Sequence, residues 1–134
     1  MATIINERII SFKSNIEFKT SDTSLLVNAG VSLNPILSPD NKNVLFFIVT
    51  YDVKTFSAPV GVSFETEIVL PFTIIDISDI SVTTLYECVK ITNNKMQLIL
   101  DSIISGKDRL IVPPIGYEEL EDELKEYVRM VMQR

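Results

Sequence analysis

The side chains able to do chemistry are few in this chain, and their spacing restricts them further. Cys88 is the single cysteine, and histidine is absent. A thiol becomes a nucleophile when a neighbouring base or cation holds it as the thiolate, and Cys88 has no imidazole to do so. One cysteine also makes neither an internal disulfide nor a cysteine-based zinc site. Histidine-dependent catalysis is excluded outright. Asp76 and Asp79 in "DISD" offer two carboxylates to a cation, but the oxygen-rich spacing of a calcium loop is missing, and loop polarity or helix capping accounts for them. The serines and threonines stand in no activating motif. Cys88 reads as a small apolar residue in a partly covered segment. No enzymatic activity, cofactor or metal is therefore expected.

What remains is the chemistry of surfaces. The 134 residues suit one domain, 1–134, with a real core. Lysine and arginine total 12 against 18 acids, a net charge of -6 with no basic cluster, so phosphate neutralisation has no source and nucleic acid is not an expected partner. No segment approaches the roughly 20 apolar residues of a membrane span, and the amino terminus is charged within its first ten residues. A soluble cytoplasmic protein without membrane insertion is expected. Against this, 46% of the residues are hydrophobic and the mean hydropathy is +0.27, rich for a small domain. Some apolar surface is expected to meet a partner, a second copy of the chain included.

The elements that must present such a surface follow from periodicity. "RIISFKSNIEF" alternates, with Ile10, Phe12, Ile16 and Phe18 on one face, which predicts a half-buried strand. "LLVNAGVSLNPIL" predicts a second strand, irregular at Gly30 and ended at Asn34-Pro35, and "SPDNKN" a turn. "VLFFIVTYDV" is apolar on both faces in its first half, as a central strand is. "VSFETEIVLPF" alternates again, Glu65 and Glu67 on its wet face, with Pro71 ending regular pairing.

"DISDISVTTLYECVKITNN" is rich in β-branched residues and is expected to be mostly irregular, a connection crossing the sheet with one helical turn. Asn93 or Asn94 then caps a helix carrying Met96, Ile99, Leu100, Ile103 and Ile104, which Gly106 ends. "GKDRLIVPPIGYEELEDEL" reads as an extended apolar strap, stiffened by Pro113 and Pro114, that starts the last helix near Tyr117. That helix has acids in its first turns, Arg129 and Arg134 near its end, and an apolar stripe through Tyr117, Leu120, Leu124, Tyr127, Val128 and Val131. Four strands and then two helices predict an α+β fold: a four-stranded antiparallel, Greek-key-like sheet with both helices on one face.

In that order, "ISFKSNIEF", "NVLFFIVTYDV", "FETEIVLPFTII" and "NNKMQLILDSIISGKDRLIVPPIGYEEL" resemble the first, third and fourth strands and the helical half of the SecB family of protein-export chaperones. The resemblance runs from about Arg8 to Tyr127 and is carried by the pattern rather than by a unique signature.

The resemblance implies a non-enzymatic holdase, a tetramer built as a dimer of dimers, that keeps unfolded client polypeptides in long apolar grooves. Carried across, the groove residues are Ile77, Ile80, Val82, Leu85 and Tyr86 in the crossing connection and Leu120, Leu124, Tyr127 and Met130 in the last helix. A helical apolar stripe also serves a core, so only part of this set is expected to face a client. Family members pass clients to SecA through an acidic sheet face, here Glu65 and Glu67, although Asn15 and Lys19 stand where the family's first strand is acidic. An acidic alternation also protects any solvated sheet face. The chain ends at "VRMVMQR" without the family's zinc-dependent SecA contact, which argues against export delivery. The alternative expectation is an oligomeric interaction module, or a dedicated chaperone of one partner such as an antitoxin.

Overall fold

A computed structural model of the chain describes residues 3–5, 11–16, 25–57, 61–103, 112 and 114–133. The elements are β1 (Thr3–Ile5), β2 (Ser11–Ile16), β3 (Leu25–Leu37), β4 (Val44–Ser57), β5 (Gly61–Ile75), a short 3-10 turn at Ile77–Asp79, α1 (Val82–Ile103) and α2 (Tyr117–Met132). The fold is α+β. β3, β4 and β5 form the body of an antiparallel sheet, and β1 and β2 both pair along the far edge of β5. The amino-terminal segments thus lie beside the last strand instead of their sequence neighbour β3, a Greek-key order.

Four strands are expected from the sequence and five paired segments are described, and a proline explains the difference. The Ser38 N–H donates to the Val44 carbonyl at 3.3 Å across the β3–β4 hairpin. In an antiparallel pair the hydrogen-bonding direction alternates with every residue. With the observed registers, even-numbered residues of β3 point their backbone groups at β4, odd-numbered residues of β4 point at β5, and odd-numbered residues of β5 point at the outer edge. Pro71 is therefore an outward position without an N–H to give. β2 pairs with β5 up to Val69 and β1 resumes at Thr73, on either side of it. Pro71 does not end β5, as periodicity suggested; it pairs with Ile48 on its inner side and interrupts only the outer ladder.

Alternation divides the sheet into two faces. Leu45, Phe47, Val49, Tyr51 and Val53 of β4 and Thr66, Ile68, Leu70, Phe72 and Ile74 of β5 are all buried beneath the helices. The first cluster joins Leu33, Phe47 and Phe72 to Leu85, Val89, Leu120 and Leu124, so both helices cover the same face. A second gathers Tyr51, Val53 and Ile68 around Met96, Leu100 and Val112.

From Val82 onward the segment expected to be irregular is the first half of α1, which contains Asn93 and Asn94 instead of starting at them; only Asp76 to Ser81, with its short 3-10 turn, precedes the helix. Ser81 opens it: its carbonyl accepts from Thr84 and Leu85, and its Oγ lies 3.4 Å from the Thr84 N–H. Weak helix propensity is overridden by packing, because Leu85, Cys88, Val89, Thr92, Met96 and Leu100 recur at three and four and are all buried. Asp76 takes the left-handed conformation, φ 55°, at the corner between β5 and this helix, where its carboxylate accepts from Asn43 at 2.9 Å.

α2 starts at Tyr117, after Gly116, with Glu118 and Glu119 in its first turn and Arg129 in its last. The strap before it is anchored by Val112, whose N–H donates to Gln97 Oε1 at 2.7 Å and whose side chain is buried. Ile115 packs on both clusters and its carbonyl accepts from the Tyr86 hydroxyl at 2.8 Å. Gly106, Leu110, Ile111 and Pro113 lie outside the described residues.

Candidate functional site

The alternation that places Pro71 on the outer side of β5 also determines what the free edge of β3 presents. Ala29, Val31, Leu33 and Leu37 turn both backbone groups away from β4, and Pro35 turns only a carbonyl. Pro35 therefore lies inside β3 and does not end it. Across its 13 residues, "LLVNAGVSLNPIL" carries no charge, and no described strand pairs on this side. Uncharged edges of such length are ready templates for another extended chain.

α2 lies over this edge. The Tyr127 hydroxyl is 2.5 Å from Glu123 Oε1 and 3.4 Å from the Leu33 carbonyl, one of the outward-facing groups. Its ring meets Phe47 edge-to-face with centroids 6.3 Å apart. Burial, and then the hydrogen bond and charge of Glu123, push the Tyr127 phenol up to about 12. Tyr127 thus engages one carbonyl of the edge and Pro35 offers no N–H there, while the outward groups of Ala29, Val31 and Leu37 face no described strand.

The nine groove residues named from the sequence separate by depth in this chain. Ile77, Ile80, Leu85, Leu120 and Leu124 are buried in the first cluster, Val82, Tyr86 and Tyr127 are partly buried against it, and Met130 is 38% exposed. Ile77 and Ile80 belong to the 3-10 turn and its end, while Val82, Leu85 and Tyr86 are in α1, so no irregular crossing segment presents them. Two contributors to this surface lie outside those nine. Tyr117 stacks edge-to-face on Tyr86 at 5.4 Å, and the β3 edge is shaped by hydrogen-bonding parity that only the register reveals.

On the face opposite the two helices, Glu65 is exposed and pairs with Lys54 at 3.6 Å, while Glu67 is half-buried and in register with Asp52 and Lys13. Farther along the same face, Ile36 and Phe46 are exposed large apolar residues in mutual register. This face is acidic at one end and apolar at the other.

Cys88 is buried, with Sγ 3.6 Å from the Thr84 carbonyl. Among the described residues, no three His, Cys, Asp or Glu side chains gather to hold a metal ion, and no helix is long and apolar enough to cross a membrane.

No family model matches the chain and no curated protein matches it. Among solved structures, the chain is similar to the SecB-like chaperone Rv1957 of Mycobacterium tuberculosis, in complex with a ChAD peptide from the HigA1 antitoxin. The TM-score is 0.53 at 10% sequence identity, over 86% of this chain and 87% of that one. At this identity the likeness is one of fold, extending over nearly the whole of both chains.

Proposed function

We propose that the chain is a SecB-like molecular chaperone, a non-enzymatic holdase for extended, non-native polypeptide segments. The observation that carries this reading is the long uncharged edge of β3 beside the partly exposed face of α2. Outward backbone groups there lie next to Tyr127, with the exposed Met130 three residues further along α2, which suits sequence-tolerant capture of an extended chain. Val82, Tyr86, Tyr127 and Met130 are its accessible contacts, with Ile77, Ile80, Leu85, Leu120 and Leu124 forming the layer beneath them. Copies of the chain associate, covering part of the apolar surface that a single copy leaves open, such as the 68% exposed Leu98. Glu65 and Glu67 form an acidic docking face for a downstream partner, but Glu65 is already matched to Lys54, and SecA delivery has no further support.

The test is thermal aggregation of an unrelated client in the presence of the purified protein. Suppression at stoichiometric amounts is expected, and none at severalfold excess overturns the general holdase. A second reading, a chaperone dedicated to one partner, is favoured by the antitoxin peptide bound to the mycobacterial neighbour. It predicts that affinity capture recovers one protein where a general holdase recovers many.

A further inference from the structure

We infer that the sheet face opposite the two helices binds the same face of a second copy of the chain, about a two-fold axis that crosses β4 between Phe46 and Ile48. This gives a surface to the association proposed above and does not rest on the chain being a chaperone. Register sets the face out in rows. Even-numbered residues of β3 and β4 and odd-numbered residues of β5 share it, so that Ile36, Phe46 and Thr73 form one row and Asn34, Ile48 and Pro71 the next. From Val44 to Thr50 these three strands place no charge on it, and its two large exposed side chains, Ile36 at 43% and Phe46 at 39%, stand side by side. Its charges all come further along, Asp52 and Glu67 in one row, Lys54 and Glu65 in the row after. A solvated face of an antiparallel sheet is ordinarily polar, and a contiguous apolar patch on one marks a contact surface. The backbone groups of β4 are taken up by β3 and β5, so this face offers a partner side chains only.

The order of charges along β4 and the turn before it identifies the occupant. Alternate residues from 40 to 54 read acid, base, Val, Phe, Ile, Thr, acid, base. Turned end for end about position 47, the series meets its own complement: Lys42 faces Asp52, Asp40 faces Lys54, and Phe46 faces Ile48. A two-fold axis makes each of these contacts twice, as the self-complementary patch of a symmetric dimer requires. Asp40 and Lys42 are exposed at the hairpin end of the sheet, where an overlapping copy reaches them.

Within one copy Asp52 is left without a cation. It stands opposite Glu67, a like-charge pair that weakens a ladder. A Cβ at Gly30 would lie 2.7 Å from Asp52 Oδ1, so the carboxylate extends across the glycine backbone on the β3 side, while Lys13, on β2, is at the other edge of the sheet. Lys54 is engaged by Glu65, and among the described residues neither Asp52 nor Lys42 has an ion-pair partner. Three strands are roughly 14 Å wide and the overlap from Lys42 to Asp52 runs roughly 34 Å, so two copies cover roughly 1,000 Å² in all, the lower end of specific interfaces. A pair held by that area dissociates on dilution.

The test is the molar mass of the full chain in solution, by light scattering over a dilution series. At the concentrated end the wild type is expected to carry twice the mass of Phe46→Glu, the two sharing one far-ultraviolet circular dichroism spectrum. Lys42→Asp and Asp52→Lys each set like charges together and are expected to raise the dissociation constant ~10-fold or more, whereas Lys42→Asp combined with Asp52→Lys restores it to within ~3-fold. Neither single change threatens the fold, because Lys42 is in an exposed turn and a lysine at position 52 meets Glu67 in its own sheet. Equal masses for wild type and Phe46→Glu, or a double variant no tighter than the single ones, overturn the inference. So does a Phe46→Glu variant that keeps the wild-type mass but no longer binds a foreign protein held by the wild type, which gives the face to that partner. Suppression of client aggregation is measured separately, so the holdase reading and this one stand or fall apart.

Discussion

Leu124 and Met130 lie less than two turns apart on α2 and answer different questions. Leu124 is 0% exposed, and an aspartate there buries a charge without a partner, at a cost of several kcal/mol. Leu124→Asp is expected to abolish the cooperative thermal transition followed by circular dichroism. Met130 is exposed, so Met130→Asp is expected to leave the melting temperature within a few degrees of wild type while client protection falls. Tyr127 adds a pH dependence. Its neutral phenol is favoured in the folded chain, with the pKa raised from 10.0 to about 12, so the folded state holds a proton that the unfolded state has released within that window. By linkage its contribution is complete below pH 10 and is lost as pH rises toward 12. Thermal melts between pH 9 and 12 are expected to decline more steeply for wild type than for Tyr127→Phe, which keeps the ring against Phe47 but has no proton to lose.

At the scale of elements, helix α1 shows how packing overrules propensity. "VTTLYECVKITNN" contains enough β-branched residues to disfavour an isolated helix, yet its buried positions run in one stripe against the sheet. Such a helix depends on how it begins, and Ser81 is where it begins. Ser81→Ala is expected to cost about 0.5–2 kcal/mol, read from urea denaturation with an unchanged m-value. The two sheet prolines make a related point. Pro35 and Pro71 each fall where the backbone faces away from its inner neighbour, so they sit within long strands and blunt only the outer side. From sequence, a proline in a strand reads as a terminator, because its tolerance depends on which neighbour its missing N–H faces.

At the scale of the whole molecule, a net charge of -6 and the uncharged edge of β3 bear on the proposed chaperone activity at different ranges. Charge steers encounter over a distance that salt shortens from about 30 Å at 0.01 M to about 3 Å at 1 M, while apolar contact survives salt. Stopped-flow capture of a basic unfolded client is therefore expected to slow as salt rises, with dissociation little changed; for an acidic client the salt effect on capture has the opposite sign.

The sequence by itself determined the fold class, the start of α2 at Tyr117, the central place of β4 and the lack of imidazole chemistry. These depend on composition and on periodicities of two and of three to four, which are local and survive without knowledge of neighbours. Tertiary structure alone decided that α1 extends back to Val82, that Ile77, Ile80, Leu85, Leu120 and Leu124 lie in the core, and that Pro71 divides the edge segments β1 and β2. It also decided which backbone groups of β3 face outward beneath Tyr127. Each of these is a relation between segments distant in sequence, and an apolar residue or a proline carries no mark of which neighbour the fold will set against it.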